Sequence, residues 1–429
     1  MRLGGRMAAA IEILSDIERR KRPVSDALKE WGLSHRFAGS GDRAAIGNLV
    51  YDALRKRLSN GWLMDDDGPA ALVHAVIHRQ WKIGPDKLRA LLAGDRFAPE
   101  PLPEKSAKAF AGRDLKMAPP HVQADIPEWV RFAFEENFAD EWIAEAQALS
   151  ERPPLDLRVN TLKSSVDKVL KALARSGAVR TSLARDGLRI APGEGPARLP
   201  NVTAEPAYQK GWFEVQDEGS QIVSDLIFAQ GGEQVLDYCA GGGGKTLALS
   251  AAMENSGQIH AYDIDKARLA PIFERLKRAG TRNVQVHDAG SDLSALAGRM
   301  DRVIIDAPCT GTGTWRRRPD TKWKLTQKNL EERLDQQQAV LASAAPFVRP
   351  GGFLIYITCS VLPQENEAQV YGFCEDNGAF EPVSAGEVWQ DLFGENPLQP
   401  WSADMKTVTL TPAATKTDGF FFSVMQKRR

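Results

Sequence analysis

The sequence predicts an α/β protein: a doubly wound parallel-sheet domain in the C-terminal half, a small α+β region before it, and an all-helical N-terminal region. Three observations predict it. From about Gln221 onward, short apolar runs alternate with helical stretches, namely QVLDYCA, QIHAYDID, NVQVHDA, DRVIIDAP and GFLIYITCS; continuous apolar strands separated by helices imply parallel strands covered on both faces. Upstream, Leu155, Leu157 and Val159 of LDLRVNT alternate with polar residues, as in a half-buried strand. From the start to about Leu92, apolar residues recur at helical intervals. Boundaries at 1–136, 137–222 and 223–429 follow.

In the first region the clearest helix lies between Arg43 and Arg57. Ile46, Leu49, Val50, Ala53 and Leu54 form its apolar stripe, and Arg43, Arg55, Lys56 and Arg57 occupy the remainder, giving the domain a basic side. His74 and His78 are four apart on a helix, but Ala75 stands where a zincin has its Glu, so both are read as structural. Prolines from Pro99 to Pro103 and at Pro119 and Pro120 mark a loop-rich stretch, followed by a helical passage from Pro127 to Ser150. After LDLRVNT, Ser164 is expected to start a helix, with Asp167 as its capping-box partner, and a strand follows near Leu188 to Ile190.

Composition narrows the class. The 429 residues are 43% hydrophobic and 26% charged, and no apolar run approaches the roughly twenty residues that span a bilayer. Glu12 and Asp16 interrupt the N-terminal run AAAIEILSDIERR, which therefore does not read as a signal peptide. A cytoplasmic monomer that does not engage the membrane is expected. Cys239, Cys309, Cys359 and Cys374 include no CxxC pair, so they read as free thiols rather than disulfides or a metal site. A net charge of −1 gives no global nucleic-acid signature, although phosphate affinity depends on local clusters.

The motifs sit at strand ends, where ligands bind in open α/β sheets. The glycine run of DYCAGGGGKT follows a strand and opens a helix, so backbone amides can approach a ligand. A Walker P-loop would need Gly where Cys239 stands, which weakens the phosphate reading. Asp263, Asp288 and Asp306 end successive strands; an acid at the second strand's end is placed to accept from ribose hydroxyls, although any of them can also cap the next helix. Cys309 and Cys359, each ending a strand, are expected to face one crevice. Trp315, Arg316, Arg317, Arg318, Lys322 and Trp323 interleave cations with aromatics, a composition suited to RNA phosphates and stacked bases, with a solvated loop as the bland alternative.

DYCAGGGGKT, AYDID, DAPCTGTG with RRRPDTKW, and YITCSVLPQENE together resemble the Sun-type RNA cytosine-5 methyltransferases, and RVNTLK, VQDEGSQ and TDGFFFSVM extend the resemblance over most of the chain beyond about residue 125. GDRAAIGNLVYDALRKR resembles, more weakly, the NusB-like RNA-binding helical domain of the small-subunit ribosomal RNA methyltransferase B branch. The resemblance implies a Rossmann-like catalytic domain with S-adenosylmethionine as cofactor. Its site would be lined by Cys239, Ala240, Gly241, Gly242, Gly243, Gly244 and Lys245 with Asp263, Asp288 and Asp306. The family usually has Ala-Pro where this chain has Gly241 and Gly242, and losing Pro is expected to loosen the turn.

The resemblance also implies roles. Cys359, of the TCS motif, would add to carbon 6 of cytosine; Cys309 would assist removal of the carbon 5 proton and release of the product; Asp306 would hold the cytosine edge. A free thiol, pKa ~8.5, is only a few per cent thiolate at neutral pH, and Lys245 is a candidate for electrostatic help. Small-subunit ribosomal RNA is the expected partner. The alternatives are a transfer-RNA or a DNA cytosine methyltransferase, a non-catalytic ribosome-assembly factor that binds RNA, and a P-loop ATPase.

Overall fold

The structure, a computed structural model, describes residues 1–394 and 396–429. They divide into two compact units. One comprises Met1–Pro153, Pro192–Leu199 and Trp315–Lys324; the other comprises Pro154–Ala191, Pro200–Thr314 and Leu325–Arg429.

The first unit is helical. Helices Leu3–Arg20, Val24–Ser34, Ser40–Arg55 and Pro69–Arg79 bury one core, in which Ile46, Leu49, Val50 and Ala53 meet Met7, Ile13, Val73 and Ile77. The helices continue past residue 136, through Trp142–Ala148. The expected basic side is occupied by partners: Arg43 donates to the Ala38 carbonyl, Lys56 pairs with Glu151 at 2.6 Å and Arg57 with Glu18 at 2.9 Å. Arg55 is buried against Asp52, which also accepts from Arg152 and the Trp81 indole. His74 is buried, and burial first, then His78, lowers its pKa to about 4. It stays neutral, as a core histidine does.

Trp315–Lys324 corrects an expectation about RNA contact. Trp315 is buried and stacks on Phe134, with ring centroids 5.9 Å apart. The helix Ser40–Arg55 ends with carbonyls that have no intrahelical partner. Two of them are satisfied by this segment: Trp323 Nε1 donates to Leu54 O at 2.7 Å, and Lys322 Nζ donates to Arg55 O at 3.1 Å and to Ser150 Oγ at 2.8 Å. Arg316 is buried as well, its carbonyl accepting from Arg55 Nε at 2.8 Å. Lys322, Trp323 and Arg316 therefore serve the packing of the helical unit, and a fully buried ammonium cannot reach a phosphate. Arg318 is exposed and Arg317 half-buried.

The second unit carries two sheets. Strands β1 (Leu155–Val159), β2 (Val179–Arg180), β3 (Gly187–Ile190) and β4 (Phe213–Val215) form an antiparallel sheet in the order β2-β3-β1-β4. The helix after β1 starts at Val166 with Ser165 as N-cap and no side-chain cap; Asp167 pairs with Arg180 at 2.8 Å instead of closing a capping box. Then come β5 (Gln234–Asp237), β6 (Gln258–Tyr262), β7 (Val284–His287), β8 (Met300–Asp306), β9 (Val348–Thr358), β10 (Phe380–Val383), β11 (Thr407–Leu410) and β12 (Phe420–Lys427). They are ordered β10-β12-β9-β8-β5-β6-β7, with β11 beside β12. β5 to β9 are parallel, and β10, β11 and β12 pair antiparallel. The β12 residues show why both faces are covered: Phe421 packs with Tyr356 and Val303 on one side, and Phe422 with Ile355 and Ile357 on the other. Each is fully buried, worth roughly 2–3 kcal/mol of transfer free energy.

Candidate active site

The chain runs outward from β5 through β6 to β7 and returns as β8 on the other side of β5, so the strand order reverses between β5 and β8. A ligand crevice opens at the carboxyl ends of strands flanking such a reversal. β5 ends at Asp237 and β8 at Asp306, the latter level with Ile357 of β9. The motifs follow these ends directly.

After β5 the chain turns through Tyr238 to Gly243 and enters the helix Gly244–Ala252. Gly243, at φ +80°, is the N-cap, and a Cβ there would lie 2.5 Å from Ile272 Cγ1, so only glycine fits. It has no side chain to cap the helix, which leaves first-turn amides for a ligand. Asp263 is buried and braces the turn, its Oδ2 accepting from Gly241 N at 2.9 Å and its Oδ1 from Asp265 N at 2.8 Å. Asp265 caps the helix Lys266–Leu269. Asp288 lies just past β7 with its side chain exposed. The expected looseness at Gly241-Gly242 is offset, because Arg275, tied to Glu214, donates to the Gly242 carbonyl.

Lys245 is buried and its Nζ lies 2.7 Å from Asp306 Oδ2, which joins the glycine turn to the end of β8. Beneath them Asp237 accepts from Thr246 Oγ1 at 2.6 Å; burial raises its pKa to about 6, and the Thr246 hydrogen bond partly opposes the shift.

Past β8 and β9 the two cysteines meet. Cys309 Sγ and Cys359 Sγ are 3.4 Å apart, and both residues are half-buried. The hydrogen bond with Cys359 first, then burial, then Cys359 and Glu365 charge, push the Cys309 pKa well up. Burial also pushes up Cys239, and takes Cys374 to about 11. Backbone and hydroxyl bonds hold the turn on both sides: Gly313 N donates to Cys359 O at 3.0 Å, Val361 N to Thr312 Oγ1 at 2.9 Å, and Thr358 Oγ1 to Asn366 Oδ1 at 2.6 Å. Gly419 N in turn donates to Gly313 O at 2.8 Å; a Cβ on Gly313 would lie 2.3 Å from that glycine's carbonyl oxygen. The C-terminal TDGFFF run is thus part of the cysteine site. Glu365, Thr310 and Gln337 also take part. Glu365 sits inside the QENE run, but nothing in the sequence marks Gln337, which arrives on the helix Gln327–Ala344.

Residues 226–426 match the family described as 16S rRNA methyltransferase RsmB/F, and residues 126–193 match the ferredoxin-like domain of RsmF/B-like methyltransferases. The ribosomal RNA small subunit methyltransferase B of Cronobacter sakazakii is 34% identical over 324 residues, 74% of this chain and 68% of that protein. The chain belongs to the 16S rRNA methyltransferase RsmB/F family. It is an S-adenosylmethionine-dependent RNA methyltransferase. Escherichia coli methyltransferase B is 34% identical over 307 residues, 70% of this chain and 66% of its own length, so the matches span about two thirds of each relative. A solved methyltransferase homolog from Pyrococcus horikoshii is 28% identical with a TM-score of 0.58, covering 72% of this chain and 97% of that one.

The residues of this RsmB/F-family chain fit the cofactor. An uncapped helix N-terminus suits a carboxylate, and the exposed Asp288 at a neighbouring strand end suits hydroxyl and amino donors, while buried Asp263 uses both oxygens to brace the glycine turn that would meet the ligand. Among the described residues no cluster of His, Cys, Asp and Glu could hold a metal ion, and no helix is long and apolar enough to cross a membrane.

Proposed function

We propose that this protein methylates carbon 5 of a cytosine in 16S ribosomal RNA in the cytoplasm, through a transient bond between Cys359 and the base. The observation that carries this reading is the pair of thiols 3.4 Å apart at the ends of adjacent parallel strands, beside the glycine turn. Carbon 5 of cytosine is a poor nucleophile; thiolate addition at carbon 6 gives the ring enamine character and lets carbon 5 attack an electrophile, so one hard step becomes two easier ones. Bound S-adenosylmethionine supplies the methyl group.

Cys359 acts as the nucleophile and Cys309 as its partner. Cys309, Cys239 and Cys374 each have their pKa pushed up by their surroundings, which holds those three thiols protonated. Cys309, a thiol at the moment of addition, can pass its proton to ring N3 as the Cys359 adduct forms; the resulting thiolate then takes the carbon 5 proton, and the carbon 6 to sulfur bond breaks to release Cys359. Asp306, anchored by Lys245, accepts from the exocyclic amine and holds the base. Lys245 brings its positive charge into a buried setting, where charge acts strongly. A base inside structured RNA must be extruded to reach the thiols, and Arg318 is the exposed cation of the original cluster that can meet its phosphates.

The relatives named methyltransferase B support a small-subunit ribosomal RNA substrate over transfer RNA. Incubating the protein with S-adenosylmethionine and a 16S rRNA transcript, then digesting the RNA to nucleosides for mass spectrometry, should yield 5-methylcytidine. Methylation at another base atom, or only on transfer RNA, would overturn the reading.

A further inference from the structure

The mechanism above does not use Glu365. Its side chain is fully buried at the end of the short turn Pro363–Glu365 that follows the TCS motif. What surrounds it is the loop that carries Cys309. Oε1 accepts from Thr310 N at 2.8 Å and from Gln337 Nε2 at 3.0 Å, and Oε2 accepts from Thr310 Oγ1 at 2.5 Å. Gln337 Nε2 also donates to Pro308 O at 2.9 Å. The residues on either side of Cys309 are therefore both tied to one carboxylate, directly at Thr310 and through Gln337 at Pro308. Glu365 is itself fixed, its carbonyl accepting from Tyr356 OH on β9 at 2.8 Å.

We propose that Glu365 is a positioning residue: it clamps the Pro308–Thr310 turn so that the Cys309 thiol stands beside Cys359 in the geometry needed for its step. The inference rests on the proposed function for the nature of that step. The chemistry is specific about the side chain. A carboxylate offers acceptors only, matching three donors at once, and a buried set of this kind is costly to leave half-satisfied. The Pro-Cys-Thr-Gly loop contains Gly311 at φ +71°, whose carbonyl is held locally by Thr314 Oγ1 at 2.8 Å, so the tie to Glu365 is what fixes the Thr310 side of Cys309. Because the clamp acts on Cys309 and not on Cys359, its loss should impair resolution of the covalent intermediate while leaving its formation largely intact.

The test uses the full chain, S-adenosylmethionine and a 16S rRNA transcript, with protein–RNA adducts counted on denaturing gels and cofactor affinity measured by calorimetry. Glu365→Ala is expected to accumulate adduct at least tenfold over wild type, as is Cys309→Ala, with S-adenosylmethionine affinity within about twofold and kcat reduced far more than KM is changed. Thr310→Val, which removes one of the three bonds, should accumulate a smaller amount. Glu365→Gln should lie near wild type, since the amide oxygen can keep two donors while the Thr310 hydroxyl turns to accept. Wild-type turnover without adduct in Glu365→Ala, or lost turnover without adduct while the cofactor still binds, would overturn the proposal. Should Glu365→Ala fail to bind cofactor, Thr310→Val decides, and its failure to accumulate adduct would be equally fatal. Failure of Cys309→Ala to accumulate adduct would instead count against the role given to Cys309 itself.

Discussion

At the scale of single residues, burial separates side chains that look alike in sequence. Lys322 and Arg318 both belong to a cation-rich, tryptophan-bearing run, yet one caps a helix inside the molecule and the other is exposed. Burial lowers the Lys322 pKa from 10.5 to about 7, with Lys56 and Arg55 adding to the shift and Asp125 opposing it. Below about pH 7 the folded protein carries the full penalty of a buried ammonium; between that value and 10.5 the unfolded chain binds the extra proton, so stability rises with pH. Lys322→Met removes this titration, and the wild type should gain on the variant by up to a few kcal/mol between pH 6 and pH 9 in urea unfolding. RNA affinity should be unchanged. A pH-independent difference, or weaker RNA binding, would contradict the assignment. The pattern of residue types could signal a cation–aromatic cluster but not its burial, because the partners that bury it, Leu54, Arg55 and Ser150, lie more than 170 positions away.

At the scale of elements, the five parallel strands were legible because each is an apolar run closed by an Asp or Cys at its ligand end. β10, β11 and β12 were not read as strands, since their pairings are antiparallel and close only through the distant β9. The glycine turn was legible as a ligand loop, but its stiffness was not. Pro would restrain Gly242 through its own ring, whereas here the restraint comes from Arg275 on a neighbouring helix, held by Glu214. Arg275→Ala should therefore weaken S-adenosylmethionine binding by about three- to tenfold with little change in kcat, as expected for a loop that must be ordered on binding. Adding Gly242→Pro to that variant should recover part of the loss. Titration calorimetry of the single and double variants checks this, and an unchanged affinity in Arg275→Ala would show that the turn is rigid without help.

At the scale of the whole molecule, chain order and unit membership diverge. The run that leaves the Cys309 loop, Trp315–Lys324, belongs to the helical unit, while the chain on either side of it belongs to the catalytic one. Boundaries drawn along the sequence cannot express such an insertion, and the split of 1–136, 137–222 and 223–429 contains none. The chemical core was legible because its parts are local words, TCS and PC, each at the end of its own strand; their meeting at 3.4 Å is a property of the sheet order alone. Whether that meeting has the proposed purpose is tested most directly by mass spectrometry of nuclease-trimmed complexes formed with S-adenosylmethionine and a 16S rRNA transcript containing 5-fluorocytidine, whose fluorine blocks release. The account predicts a methylated fluorocytidine nucleotide attached to the peptide bearing Cys359 and no adduct in Cys359→Ala; attachment to Cys309, or an undiminished adduct in Cys359→Ala, would contradict it.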